Sequence, residues 1–371
     1  MPGPVRPRRN AGAPDGARDG APDAARGGAV VAVTGAGSGA GAAVLAHLAG
    51  SPRVARAIGV DDGPAPAGTT AEWRQVDGLD PGLTAAFAGV TALAHLAVDL
   101  TPDPDRAGQR LRNTRAAQTA ITAAFAAGVR RVVVVGSALV YGAYADNPVP
   151  LDDDAPLRAM PESSAVGDLL EIERIAAASR RSHRGLAVTV LRPAVVLGAG
   201  DREPMAALLS APRLLRIRGA DTRWQFCHVS DLAAAVELAA LAPAGVLDGP
   251  ANVACDGWLD HDELERVSGR RSLELPEGIA VGTAERLNRL GVTSAPPSEL
   301  DHLVHPLVVG TARLHAAGWR PAYTNAEAVA DHVRERRRRG PAVVGGAAAG
   351  AAVALVGTAA LVRRARRRRT P

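Results

Sequence analysis

Four glycines between residues 35 and 41 set the chemistry open to this chain. Val30, Val31 and Val33 read as a buried parallel strand that stops at Thr34. Gly35, Gly37, Gly39 and Gly41, with Ser38 among them, then lead into the alanine-rich stretch from Ala42 to Ala49. Glycine removes Cβ atoms and permits positive φ, so backbone N–H groups at a helix N-terminus can close on a pyrophosphate. A second apolar run, Val54 to Val60, ends in Asp61, a carboxylate placed for ribose hydroxyls. Strand, glycine turn, helix and trailing acid make up a dinucleotide fingerprint, with NAD expected over NADP. Asp77 follows a short strand, Trp73 to Val76, where a carboxylate or its backbone would meet an adenine edge. His95-Leu96-Ala97 closes another strand, and small side chains there let a ribose pack closely. On its own, His95 reads as a hydrogen-bonded core histidine.

The elements that must hold these residues alternate. Strands are expected at Val30 to Thr34, Val54 to Val60, Trp73 to Val76, Ala92 to Leu96, Val132 to Val135 and Val188 to Leu191, with helices between, notably Arg110 to Ala127 and Asp168 to Arg180. Alternation predicts an α/β fold, a doubly wound parallel (Rossmann) sheet with right-handed crossovers, and ligands beyond the strand C-terminal ends. Of 371 residues, 47% are hydrophobic, enough for a sizeable core, and scarce aromatics leave aliphatic side chains to fill it. Cys227 and Cys255 read as small buried hydrophobes in a reducing compartment, with no metal-ligand company. The net charge of +5 is uneven: Arg334 to Arg369 holds eleven Arg and one Glu, so the rest of the chain is acidic. No basic surface interleaved with aromatics points to nucleic acid.

Along the chain, Val132 to Val135 runs into Gly136-Ser137-Ala138-Leu139-Val140-Tyr141-Gly142. With the glycine loop, Asp61, Asp77, the HLA at His95 to Ala97 and Asn113 opening the next helix, this SALVYG segment resembles the extended short-chain dehydrogenases, the NAD-dependent epimerase/dehydratase family. Leu191-Arg192-Pro193, Phe226-Cys227-His228-Val229-Ser230-Asp231 and Gly318-Trp319-Arg320-Pro321 are similar to the family's later LRP, FVHVxD and GWRP segments. The resemblance covers roughly Ala29 to His332. One departure is the glycine loop: the extended form is usually TGxxGxxG, whereas this loop fits the compact-branch spacing TGxxxGxG through Gly35, Gly39 and Gly41.

The resemblance implies hydride transfer between a substrate carbinol carbon and the nicotinamide C4. A tyrosine deprotonates the hydroxyl, a lysine lowers that tyrosine's pKa and holds the nicotinamide ribose, and a Ser or Thr orients the substrate oxygen. Ser137 matches the Ser or Thr, a partial catalytic site. Aligning the family's later Glu with Glu173 puts Ala165 at the tyrosine position and Leu169 at the lysine position. No other register rescues the motif, because the chain has no lysine and its tyrosines stand only at 141, 144 and 323. Their loss removes general-base catalysis worth roughly 10²–10⁴-fold. Asp168 and Glu171 are substitute bases by type, but they read as acids in a solvated first helical turn, which suits the macrodipole. Tyr141 belongs to the VYG turn.

Downstream of Leu197 the pattern is less regular, as expected of a small C-terminal substrate domain together with returning sheet elements. Arg192, Arg213, Arg216, Arg218 and Arg223 could meet a diphosphate by residue type, although surface arginines are common. Pro341 to Val362 is 22 residues without a charge, long enough to span a bilayer as a C-terminal hydrophobic helix. Only seven Val or Leu drive its insertion, and arginines flank both sides. The expected organisation is a disordered arm over 1–28, with no secretion signal behind Arg8-Arg9, and an NAD(P)-binding domain over 29–196. A mixed substrate region over 197–333, a basic linker over 334–340, the hydrophobic helix over 341–362 and a basic tail over 363–371 complete it. Expected partners are a dinucleotide, a nucleotide sugar or other small hydroxyl or carbonyl substrate, the membrane, and a second copy of the chain, close pairing being open to Gly346-xxx-Gly350. The expected place is the cytoplasm, attached to the membrane. Two readings stand: an NAD(P)-binding protein whose ordinary catalysis is lost or weak, and a working epimerase, dehydratase or reductase with a substitute acid or base.

Overall fold

The computed structural model describes residues 28–339 except 38, 101, 102, 104, 161–164, 200–204, 207, 208, 210, 280, 281 and 283–300. The N-terminal arm, Ser38 and the hydrophobic segment 341–362 with its basic tail lie outside the described residues. In chain order the strands are β1 (Ala29–Thr34), β2 (Val54–Asp61), β3 (Glu72–Gln75), β4 (Ala92–His95), β5 (Arg131–Val135), β6 (Ala187–Pro193), β7 (Val195–Leu197), β8 (Leu214–Ile217), β9 (Phe226–His228), β10 (Gly249–Val253) and β11 (Ser272–Leu275). The helices are α1 (Gly39–Gly50), α2 (Leu83–Ala86), α3 (Arg106–Ala126), α4 (Ala165–Ser182), α5 (Val229–Leu241), α6 (His261–Ser268), α7 (Ala312–Ala316) and α8 (Asn325–Arg339).

Seven strands form one parallel sheet in the order β10-β6-β5-β4-β1-β2-β3. Its central strands β1, β4, β5 and β6 bury both faces, as parallel strands under helices must. The period of two shows in β1, where Val31 and Val33 join the core shared with α1 and α5, while Ala32 faces the core shared with α2, α3 and α4. A third core, built on Trp224, Phe226, Leu264, Leu273 and Val329, lies among β8, β9, β11, α6 and α8. Two short parallel pairs, β7 with β9 and β8 with β11, accompany it.

The six strands anticipated from apolar runs are present, with ends displaced by a residue or two. Helix α3 starts earlier than expected, at Arg106, because the Asp105 side chain accepts from Gly108 N at 3.0 Å and caps the turn. Asn113 therefore sits inside α3 and does not open it. No helix among the described residues is long and apolar enough to cross a membrane. Neither Cys227 nor Cys255 is in a disulfide, both are buried, and burial pushes the Cys255 thiol up to about 12.

A buried polar knot closes the C-terminal end of the sheet. The Arg192 guanidinium at the end of β6 grips Glu173 of α4 with both arms, Nε to Oε1 at 2.7 Å and Nη2 to Oε2 at 2.8 Å. Its third nitrogen donates to the Tyr141 hydroxyl at 2.8 Å and to the Asp153 carbonyl at 3.0 Å. Tyr141 in turn donates to Asn252 Oδ1 of β10 at 2.8 Å. Arg192 is only 5% exposed, so it is a fold residue and not a diphosphate ligand, contrary to what its type suggested. Removing one partner of a buried, bidentate pair leaves an uncompensated charge. Glu173→Ala should therefore lower the unfolding free energy by about 3–5 kcal/mol, read from urea midpoints at unchanged m-value.

Candidate functional site

The residues singled out in the sequence lie at the C-terminal ends of β1, β2, β3, β4 and β5. The sheet reverses its order between β1 and β4, and ligands of open α/β sheets enter at such a reversal. At the end of β1 the chain turns through Gly35, whose φ is +73°. A Cβ there would stand 2.7 Å from the Ala97 backbone nitrogen, so the HLA segment and the glycine turn touch backbone to backbone. Gly37 N donates to Asp61 Oδ2 at 2.8 Å, which fixes the acid at the end of β2 against the loop. Gly41 is buried inside α1. Gly39 has a reason that the sequence did not reveal: a Cβ there would fall 1.8 Å from the carbonyl oxygen of Ala199, beyond β7. The missing side chain makes room for another stretch of this protein's own backbone. Ser38 lies outside the described residues.

Asp61 has acidic company that sequence reading passed over. Asp62 shares a side-chain hydrogen bond with Asp61, which holds its carboxyl above the usual range, and burial and the charges of Asp61 and Asp77 push the same way. The structure thus brings Asp61 and Asp77 to one edge of the site. Thr34 and His95, paired across β1 and β4, join side chains, Oγ1 to Nδ1 at 2.8 Å. His95 is fully buried and Nε2 has no hydrogen-bond partner among the described residues. Burial pushes its pKa down to about 4, so the ring is neutral at pH 7.

Ser137 leaves β5 in extended backbone and its Oγ accepts from Leu139 N at 3.3 Å, capping the short 3₁₀ turn Ala138–Tyr141. Tyr141 is buried in the knot with Arg192, and burial raises its pKa against the pull of the Arg192 charge, so its hydroxyl is held away from any proton-abstracting task. On α4, Leu169 is 1% exposed and contributes an apolar side chain to the interior. Asp168 contradicts the sequence reading. It does not sit in a solvated first turn: it is fully buried, and its Oδ2 accepts from Arg106 Nη2 and Asn113 Nδ2, each at 3.0 Å. Glu171 pairs with Arg174 on the same helix. Arg216, Arg218 and Arg223 pair with Asp262, Glu274 and Asp221. Among the described residues no group of three or more His, Cys, Asp or Glu gathers as a metal would need.

His95 gives the site a pH signature. Its folded pKa of about 4 lies below the ordinary value of 6.5, so the unfolded chain binds the extra proton and stability falls as pH drops through that window. The loss should approach about 3 kcal/mol at pH 4, and thermal unfolding of His95→Gln should show a correspondingly shallower decline between pH 6.5 and 4 than the parent protein.

An uncharacterized protein of Mycobacterium bovis is 31% identical over 213 residues, 57% of this chain and 56% of that protein, so the match spans little more than half the relative's length. Two solved structures share the fold. MoeE5, in complex with UDP-glucuronic acid and NAD, has a TM-score of 0.65 at 24% identity over 84% of this chain and 100% of its own. DesIV, a dTDP-glucose 4,6-dehydratase from Streptomyces venezuelae with NAD and TYD bound, has a TM-score of 0.64 at 20% identity over 83% and 97%. Residues 31–254 match the family described as NAD dependent epimerase/dehydratase, and the chain belongs to that family.

Proposed function

We propose that the chain binds NAD across the crevice between β1 and β4 and has lost, or nearly lost, the Tyr- and Lys-dependent hydride transfer of its family. The observation that carries this is the pairing of a glycine turn suited to a dinucleotide with an α4 that offers Ala165 and Leu169 in a chain without lysine. The residues fit the cofactor: Gly35 has no room for a side chain, and Asp61 is fixed at the loop. N–H groups of the Gly35 to Gly41 turn other than that of Gly37, which is bonded to Asp61, would face the pyrophosphate, with Thr34 at the start of the turn and Ser38 within its sequence. Asp61 would take the adenosine ribose and Asp77 would lie toward the adenine. Leu96 and Ala97 would pack the middle of the molecule over buried His95, and its nicotinamide half would lie toward Ser137. Bound NAD supplies a hydride acceptor or donor at its nicotinamide C4. The acids around Asp61 oppose a 2′-phosphate and so favour NAD over NADP. The region from 197 to 333 is the place for a nucleotide sugar or another small hydroxyl or carbonyl compound, a class supported by the UDP-glucuronic acid named with MoeE5.

Calorimetry on the full chain should show NAD binding, and NAD or NADH incubated with a panel of nucleotide sugars should show no redox change above background. Turnover that Ser137→Ala abolishes would overturn the loss of catalysis and establish the second reading, a working enzyme with a substitute acid or base. Ser137 favours that reading; Asp168, held by Arg106 and Asn113, is a poor base for it. We also propose that 341–362 anchors an otherwise cytoplasmic domain to the membrane, on its uncharged length alone. The full chain should then sediment with membranes and resist carbonate extraction, and a chain ending at Gly340 should be released. Recovery of both forms in the soluble fraction would remove the anchor.

A further inference from the structure

Asp168 has more connections than a helix-terminal acid needs. Besides Arg106 and Asn113 on its Oδ2, it has Arg110 Nη1 at 3.9 Å from Oδ1. Arg106 also donates to Gln109 Oε1. The far ends of the α3 side chains converge on the backbone of one residue: Gln109 Nε2 and Asn113 Nδ2 both donate to the Asp99 carbonyl at 3.0 Å, and Asn113 Oδ1 accepts from Asp99 N at 3.0 Å. A buried carboxylate on α4 therefore grips, through α3, the backbone just beyond β4. That backbone is the continuation of Leu96 and Ala97, which press on Gly35, and Leu96 N is bonded to Thr34 O at 3.0 Å.

A simple staple between helices would have the same connections, and two observations go beyond it. Among the described residues, Asp168 Oδ1 and Arg106 Nε are buried without a hydrogen-bond partner, and buried polar atoms of this kind are uncommon. The gripped segment also stands on the Ser137 side of the crevice, across β1 from Asp61, where the nicotinamide half of a dinucleotide would lie. Leu169, the next residue after Asp168, offers no cation for that half.

We propose that Asp168 is a positioning residue for the nicotinamide half of the bound dinucleotide, acting through Arg106, Gln109 and Asn113 on the backbone of Asp99. This rests on the NAD-binding reading above. In a site without the family's lysine, holding by this buried pair replaces holding by an ammonium, and it leaves binding intact while supplying no acid or base to the reaction.

The test is calorimetry on the full chain with NAD and with ADP, which has the adenine, one ribose and the diphosphate but no nicotinamide half. Asp168→Ala should weaken NAD by about ten-fold or more, the scale of a lost charge-assisted hydrogen bond, while ADP affinity stays within about two-fold. Asp168→Asn, which keeps an acceptor for Arg106, should restore part of the NAD affinity. If Asp168→Ala fails to fold, Arg106→Gln at the more exposed end of the pair provides the same comparison. Unchanged NAD affinity in folded variants would overturn the proposal, and so would a parallel fall for NAD and ADP, which marks a general loss of structure. Failure of the parent chain to bind NAD is a separate outcome: it removes the NAD-binding reading, and this proposal with it, before any variant is compared.

Discussion

The fold depends most on one buried ion pair, Arg192 with Glu173. Taking two charges out of water is costly, and only complete hydrogen bonding repays it. Here each guanidinium nitrogen has an acceptor and both Glu173 oxygens have a donor. Because the partners come from β6, α4, the turn after β5 and the loop at Asp153, the pair fixes how α4 lies across the strand ends. Asp153 extends the knot by accepting from Asn252 N at 2.7 Å and Arg313 N at 3.2 Å. The positions of Ala165, Asp168 and Leu169 on α4 depend on this anchor.

Much of the sheet was legible in the sequence, because buried parallel strands are continuous apolar runs and this chain punctuates them with glycine and acid. Val30 to Thr34 and Val132 to Val135 needed no tertiary information. The boundary of α3 was less legible, since nothing before Arg110 has helical periodicity and the start is set by the cap at Asp105. β10 was harder still: Gly249-Pro250-Ala251-Asn252-Val253 has too little apolar character to read as a strand, and it becomes one by pairing with β6. Pattern reading detects a residue's own preference and is blind to a partner supplied from far along the chain.

The same blindness explains the errors at the site. A carboxylate in a first helical turn is usually solvated, and only the arrival of Arg106 and Asn113 from α3 makes Asp168 a buried one. Arg192 looked like an anion ligand because its type carries a charge, whereas the fold uses that charge internally. Gly39 looked like a phosphate-facing glycine, and the Ala199 carbonyl shows that a second constraint acts at the same position. By contrast, the lack of lysine was readable without any structure, since a residue type absent from the chain is absent in every register.

The late arrival of β10 bears on the order in which the chain can become native. The strands from β1 to β6 can associate as they emerge, but Asn252, which accepts from Tyr141 and whose N–H reaches Asp153, comes from far downstream. Until that residue has joined, the outer edge of β6 is open and the side-chain acceptor of the Tyr141 hydroxyl is not yet in place. Such long-range closure is slow because the loop entropy must be overcome before the contacts that reward it form. A nascent chain halted before β10 thus carries an unpaired, apolar strand edge, and the hazard for this protein in the cell is aggregation during synthesis, before the fold is complete.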